Sequence, residues 1–264
     1  MNFPNIDPIA LSLGPIAIRW YSLSYIFGII LGYQYLKYLD KKYTHIKFSS
    51  KELEDLVFRI VMGVIIGGRA GYTLFYNLPF YLDNPAKILM VWEGGMSFHG
   101  GLIGFTLGVL YHAKKQKKNF LSHMDILSCT VPIGLFLGRI ANFINGELWG
   151  RKTDVAWGIV FPYGGPLTRH PSQLYESLLE GVITFSILLL FSRQEKYRNR
   201  IGFLAGTFLI CYGTSRFIVE YFREPDAQIG YILNFITMGQ ILSLPMILLG
   251  TFLIVKKDNF FTKL

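Results

Sequence analysis

Charge is scarce in this chain. Asp, Glu, Lys and Arg make up 16% of its 264 residues and hydrophobic residues 52%, whereas a soluble domain carries about 25% charged residues. An ordinary water-facing surface is thereby excluded. Cysteine is nearly absent. Cys129 and Cys211 both fall inside apolar runs, which reads as small residues packing between helices and gives a disulfide framework no support. The five histidines show no H-E-x-x-H or similar spacing, so no metal and no organic cofactor is expected. His45, His112 and His123 read as interfacial residues. No internal repeat divides the chain into matching halves, as an inverted-repeat transporter would.

What is present is long apolar sequence. Seven stretches can hold a spanning helix, near 16–36, 56–76, 97–112, 124–142, 173–192, 201–222 and 235–255, each close to the roughly 20 residues a bilayer requires. The net charge of +9 is distributed in short clusters between them, which argues for topology rather than a nucleic-acid groove. Lys37, Lys41, Lys42, Lys47 and Lys51 follow the first span, and Lys114, Lys115, Lys117 and Lys118 the third. Arg193, Lys196, Arg198 and Arg200 follow the fifth, and Lys256, Lys257 and Lys263 the seventh; only Lys87 follows the second. The positive-inside rule then places the N-terminus outside and the C-terminus inside.

The expected fold is an all-α polytopic membrane protein of seven transmembrane helices, one domain over residues 1–264. Met1 to Gly14 lack the basic region and cleavage site of a removable signal peptide, so the first helix is expected to persist. Asn2 to Leu13 are expected along the outer interface. Residues 145–171 contain Gly146, Gly150, Gly158, Pro162, Gly164, Gly165 and Pro166, which suits a small periplasmic cap of turns and short strands between helices four and five.

The run Gly138-Arg139-Ile140-Ala141-Asn142-Phe143-Ile144-Asn145-Gly146-Glu147-Leu148-Trp149-Gly150 closes the fourth apolar stretch. It puts Arg139 within about 10 Å of the outer surface. An arginine at mid-bilayer costs about 2.5–3.5 kcal/mol, and less near the edge, so it needs a partner and usually serves a function. An anion is the natural partner. On the same topology, Tyr21, Arg69, His99, Asn142, His170, Arg216, Glu220 and Arg223 all fall toward the outer side, where polar residues serving only as interhelical glue would scatter.

Tyr212, Arg216 and Glu220 recur at i, i+4 and i+8, so one helix face presents a phenol, a guanidinium and a carboxylate in line. Arg139 and Asn142 are three apart, and Asn145 continues their face. A plain Arg–Glu tie between helices four and six is the structural alternative. His99 lies between glycine pairs in Gly94-Gly95-Met96-Ser97-Phe98-His99-Gly100-Gly101, where a backbone can closely approach a ligand or another helix. Imidazole, titrating near about 6.5, suits proton acceptance at neutral pH. Arg169-His170-Pro171-Ser172-Gln173 reads as a helix start, with structure and substrate contact equally open for His170.

The Gly138–Gly150 run resembles the signature of the prolipoprotein diacylglyceryl transferases, bacterial inner-membrane enzymes. The resemblance spans nearly the whole chain, through Trp20-Tyr21, Gly67-Gly68-Arg69-Ala70-Gly71-Tyr72, Ser97-Phe98-His99-Gly100-Gly101, His170-Pro171-Ser172-Gln173-Leu174-Tyr175-Glu176 and Arg216-Phe217-Ile218-Val219-Glu220. Ser22 departs from it, standing where glycine is expected.

The family implies transfer of the diacylglyceryl group of phosphatidylglycerol to the lipobox cysteine thiol of a prolipoprotein, releasing glycerol phosphate, with the site toward the periplasm. Arg139 and Arg216 are then the expected phosphate grip, since guanidinium matches phosphate in two-pronged contacts and can stabilise growing charge. His99 is the candidate base for the thiol, alongside activation by the arginines alone. Glu147 and Glu220 are expected to hold the arginines, and Asn142, Asn145, Tyr21 and Tyr212 to bond the glycerol or phosphate oxygens. His170 and Gly150 complete the substrate-binding set, Gly150 chiefly as a turn residue. A lipid or anion transporter using the same arginines is the alternative, and a seven-helix receptor-like protein a third reading.

Overall fold

The structure, a computed structural model, describes the chain apart from residues 5, 15, 44–45, 226–230, 233–235 and 257–264. His45, Lys257, Lys263 and the start of the seventh stretch at residue 235 therefore lie outside the described residues. An antiparallel hairpin of β1 (Ile9–Leu13) and β2 (Ile16–Arg19) opens the chain. There follow α1 (Trp20–Asp40), α2 (Ser50–Phe75), α3 (Leu78–Asp83), α4 (Phe98–Gln116), α5 (Phe120–Ser128), α6 (Val131–Ile144) and α7 (Ser172–Glu176). A π-helical stretch, Ser177–Ile183, joins α7 to α8 (Thr184–Arg193); then come α9 (Glu195–Arg198), α10 (Phe203–Val219), the short pair β3 (Tyr231–Ile232) and β4 (Ile236–Thr237), and α11 (Met238–Val255).

Each apolar stretch of the sequence carries helix, but not all equally. Three helices are long and apolar enough to cross a membrane, namely Ser50–Phe75, Ser172–Arg193 and Met238–Val255. A fourth arises if α5 and α6, bent by 45° at their break, count as one span. Pro132 sits at the start of α6, where its missing N–H costs nothing but cannot extend α5. Among the described residues the other stretches fall short. α10 has 17 residues, α1 is diluted by five tyrosines, and α4 carries His99, His112, Lys114 and Lys115. Residues 16–19, read as the start of the first span, form β2 instead, so the all-α expectation misses the hairpin. The alternation Ile16-Ala17-Ile18-Arg19 has the two-residue period of a strand.

Two compact units make up the chain, one of Met1–Leu39 with Asp125–Phe261, the other built on Asp40–Met124. In the second unit α2 starts with a reciprocal cap between Ser49 and Glu52 and packs on α4 through glycines. A Cβ on Gly104 would fall onto the Gly63 carbonyl, and one on Gly100 onto the Gly67 carbonyl, so only glycine lets these backbones touch. Arg69, 4% exposed, gives its hydrogen bonds to the carbonyls of Lys87, Ile88, Met90, Gly94 and Gly95. It fastens the loop before α4.

In the first unit, residues 145–171 form turns joined by isolated bridges of Gly150 to Arg223, of Lys152 and Ile159 to Arg169, and of Val160 to Asn2. α10 and α11 close this unit. The helix N-terminus of α11 is built by Thr237, whose hydroxyl accepts from Gln240 N while the Gln240 side chain accepts from Thr237 N, a reciprocal arrangement that satisfies two otherwise free donors.

Candidate active site

α6 and α10 end, and α7 and α11 begin, around one cluster of ionised side chains in the first unit. Glu176 and Glu180 are fully buried there. Arg139, in the last turns of α6, places Nη1 2.9 Å from Glu176 Oε2, and its Nε and Nη2 donate to Glu180 Oε2 at 3.2 and 3.1 Å. Arg216, in the last turn of α10, donates from Nη1 to Glu176 Oε1 at 2.9 Å and from Nη2 to Glu220 Oε1 at 2.5 Å. The other Glu220 oxygen accepts from Thr237 Oγ1 at 2.6 Å. Arg223 Nη1 stands 3.9 Å from Glu176 Oε1. Breaking such a buried pair by deleting one member costs about 3–5 kcal/mol, because the survivor is left desolvated and unpaired.

Glu220 thus holds Arg216, as expected from sequence. Glu147, expected to hold an arginine, instead accepts from Asn142 Nδ2 at 2.8 Å and Asn145 Nδ2 at 3.2 Å. Gly146, with φ +64°, turns the chain back after α6, and Glu147 N bonds Asn142 O at 3.2 Å, which brings the carboxylate under the two amides. The carboxylates on Arg139 are Glu176 and Glu180, two residues sequence reasoning passed over. Their signal was available: carboxylates four apart inside an apolar run. Helices four and six are accordingly tied through Glu176 of α7 rather than by a direct Arg139–Glu220 pair.

The remaining residues divide between the units. Tyr212, one turn before Arg216, lies within electrostatic reach of Arg139, Arg216, Glu176 and Glu180. Tyr21, in the first turn of α1, shares a hydrogen bond with Tyr25 at 3.2 Å and feels the charges of Glu147 and Arg139. Gly150 N donates to His170 O at 2.8 Å. A Cβ there would press on the Phe222 carbonyl and on His170, so Gly150 serves close packing. His170 Nδ1 is 3.1 Å from Tyr175 Oη, and burial holds its imidazole below its ordinary pKa. His99 belongs to the second unit. It is exposed in the first turn of α4, edge-on to Phe98 with ring centroids 5.7 Å apart, in a turn capped by Ser97 Oγ accepting from Gly100 N at 3.2 Å.

This cluster can hold an anion. Each guanidinium has five N–H donors, and the contacts above engage only some of those on Arg139 and Arg216. The shared carboxylates fix the positions of the two cations, so an anion would meet them already in place.

Residues 8–256 match the family model for prolipoprotein diacylglyceryl transferase. The chain is 53% identical over 257 residues to the phosphatidylglycerol–prolipoprotein diacylglyceryl transferase of Azospirillum brasilense, covering 96% of this chain and 95% of that protein. It is 50% identical over 258 residues to the protein of the same name from Rickettsia rickettsii (strain Sheila Smith), covering 98% and 99%. With the Paramagnetospirillum magneticum protein of that name it shares 50% identity over 251 residues, covering 95% and 93%. On this full-length match, the chain belongs to the prolipoprotein diacylglyceryl transferase family.

Proposed function

We propose that the protein transfers the diacylglyceryl group of phosphatidylglycerol to the lipobox cysteine of prolipoproteins in a bacterial inner membrane. The observation that carries the site assignment is the sharing of Glu176 by Arg139 and Arg216, which brings two guanidiniums from different helices onto one carboxylate. In the reaction the cysteine thiolate attacks the sp³ carbon of the lipid glycerol. A carbon–sulfur bond forms, the carbon–oxygen bond to phosphate breaks, and glycerol phosphate leaves with the electron pair. Arg139 and Arg216 bind the phosphate and stabilise the charge that grows on it, a contribution larger in the transition state than before it.

A free thiol, with a pKa of about 8.5, is mostly protonated at pH 7 and requires a base. His99 is the residue proposed for that proton. Asn142, Asn145, Tyr21 and Tyr212 are assigned to the glycerol and phosphate oxygens, and Glu176, Glu180 and Glu220 keep the guanidiniums in place.

The lysine clusters after the first and third stretches support a seven-span arrangement with the N-terminus outside. In that arrangement the ends of α6 and α10 and the starts of α7 and α11 face the periplasm, where an exported peptide arrives. Family membership does not favour the transporter reading. The test is transfer of labelled diacylglycerol from phosphatidylglycerol to a lipobox peptide by the purified protein. Movement of lipid without a covalent product would replace the transferase reading.

A further inference from the structure

Arg216 has its two terminal nitrogens held by different carboxylates. Nη1 donates to Glu176 Oε1 at 2.9 Å, and Nη2 lies 2.5 Å from Glu220 Oε1. Two anchors on one planar fork fix the plane of the cation as well as its place, so the direction in which Arg216 faces a ligand depends on where Glu220 stands. Glu220 does not hold itself. It caps the C-terminal end of α10, four residues after Arg216, and a glutamate side chain carries much rotamer freedom unless something outside restrains it.

The restraint comes from the start of α11. Thr237 is 3% exposed and Glu220 4%, and Thr237 Oγ1 lies 2.6 Å from Glu220 Oε2. Gln240 N donates to the same hydroxyl at 3.3 Å, while Gln240 Oε1 accepts from Thr237 N at 3.0 Å. A hydroxyl has a single proton. With its oxygen accepting from the helix backbone, that proton goes to Glu220, so one side chain both caps α11 and grips the carboxylate.

Gly239 points the same way independently. A Cβ there would lie 2.5 Å from the carboxyl carbon and from Oε1 of Glu220, so the carboxyl group rests on bare backbone in the first turn of α11. Gly239 has none of the positive φ that would require glycine, and glycine is a poorer helix former than alanine. Room for the carboxylate is what it provides. A helix cap alone would need only the threonine oxygen and would leave this glycine without a role.

We propose that Thr237 is a positioning residue for the transfer reaction: seated over Gly239, Glu220 is locked by the Thr237 hydroxyl and thereby sets the orientation of the Arg216 guanidinium. The inference rests on Arg216 stabilising the departing phosphate, as argued above.

Steady-state transfer to a cysteine peptide by the full-length protein in phosphatidylglycerol nanodiscs tests it. Thr237→Val keeps the shape and loses the donor, and its kcat should fall about tenfold with the phosphatidylglycerol KM within about threefold of the parent. Thr237→Ser, which restores the hydroxyl, should return kcat to within about twofold. Parental kcat in the valine variant, or a serine variant as slow as the valine one, overturns the proposal. Gly239→Ala keeps the cap, adds helix propensity and crowds only the carboxylate; it should also lower kcat, and a parental value would overturn the seat even where Thr237→Val failed to fold. In a Glu220→Ala background, Thr237→Val should cost less than about twofold further, because nothing remains for the hydroxyl to hold. A full second drop there would mean that Thr237 acts through α11 alone and would overturn the proposal. Glu220→Ala at the parental rate would instead strike the role given to Arg216, whereas an impaired Glu220→Ala beside a fully active Thr237→Val strikes Thr237 only.

Discussion

Arg139 and Arg216 grip opposite oxygens of one buried carboxylate: Arg139 Nη1 lies 2.9 Å from Glu176 Oε2, and Arg216 Nη1 lies 2.9 Å from Glu176 Oε1. The two cations come from different helices, yet their separation is set by the width of a single carboxyl group. That pairing is what supports the proposed phosphate grip, since guanidinium recognises phosphate in a forked manner.

Glu176→Gln keeps the shape of this side chain and removes its charge. The amide loses the charge that pairs with Arg139 and turns an NH2 donor toward one of the two guanidiniums, so the pair should lose its alignment. The expected result is a fall in kcat/KM of about 100-fold, in the range seen when preorganised electrostatic groups are disturbed. Steady-state transfer to a cysteine peptide reads it, and parental activity would show that Glu176 does not set the spacing.

Arg139→Lys retains a positive charge but loses the fork that engages Glu176 and Glu180 together. Severe loss of turnover with normal membrane insertion is expected. Full activity would remove Arg139 from the phosphate assignment.

His99→Gln tests the proposed base. The deficit against the parent should be greatest at lower pH, where less of a free thiol, with a pKa of about 8.5, is ionised without help from a base. A pH–rate profile that superimposes on the parent's would exclude His99 from the proton transfer.

How far this site is legible in sequence depends on helix periodicity. Tyr212, Arg216 and Glu220 recur every four residues on a regular α-helix, and the structure places Glu220 on Arg216 accordingly. Glu176 and Glu180 show the same four-residue spacing inside an apolar run, but they straddle the start of the π-helical stretch Ser177–Ile183, where i→i+5 bonding shifts the face each takes. The direction of Glu147 depends on the positive-φ turn at Gly146, which places its carboxylate under Asn142 and Asn145 rather than on an arginine. The apolar stretches located the helices well, since burial in lipid demands internally satisfied backbone. The hairpin before α1 was absorbed into the first stretch because its residues are as apolar as a helix requires.

Gly104→Ala should destabilise the protein by about 1–3 kcal/mol, the usual cost of overpacking, because its Cβ would fall onto the Gly63 carbonyl. Gly134→Ala is the matched control: its Cβ meets nothing within 4 Å, and replacing glycine within a helix should be neutral or stabilising by up to about 1 kcal/mol. Thermal unfolding in one detergent compares the two. Equal melting temperatures would show that the α2–α4 contact is not tight.

His170 gives a pH dependence of defined sign. Burial lowers its pKa in the folded protein, so below the unfolded value of about 6.5 the unfolded chain binds the proton more readily. Its contribution to stability is complete above that value and declines as pH falls through it. The drop in Tm from pH 7.5 to pH 5 should therefore be smaller in His170→Gln than in the parent. Identical drops would mean that the imidazole is not desolvated.

The most direct measurement is the mass of a lipobox peptide after incubation with the purified protein and phosphatidylglycerol. A diacylglyceryl addition on the cysteine, lost together in Arg139→Lys and Arg216→Lys, is the predicted result. A peptide recovered at its original mass from the folded parental protein, or one modified by both variants as fully as by the parent, would contradict the paired-arginine account.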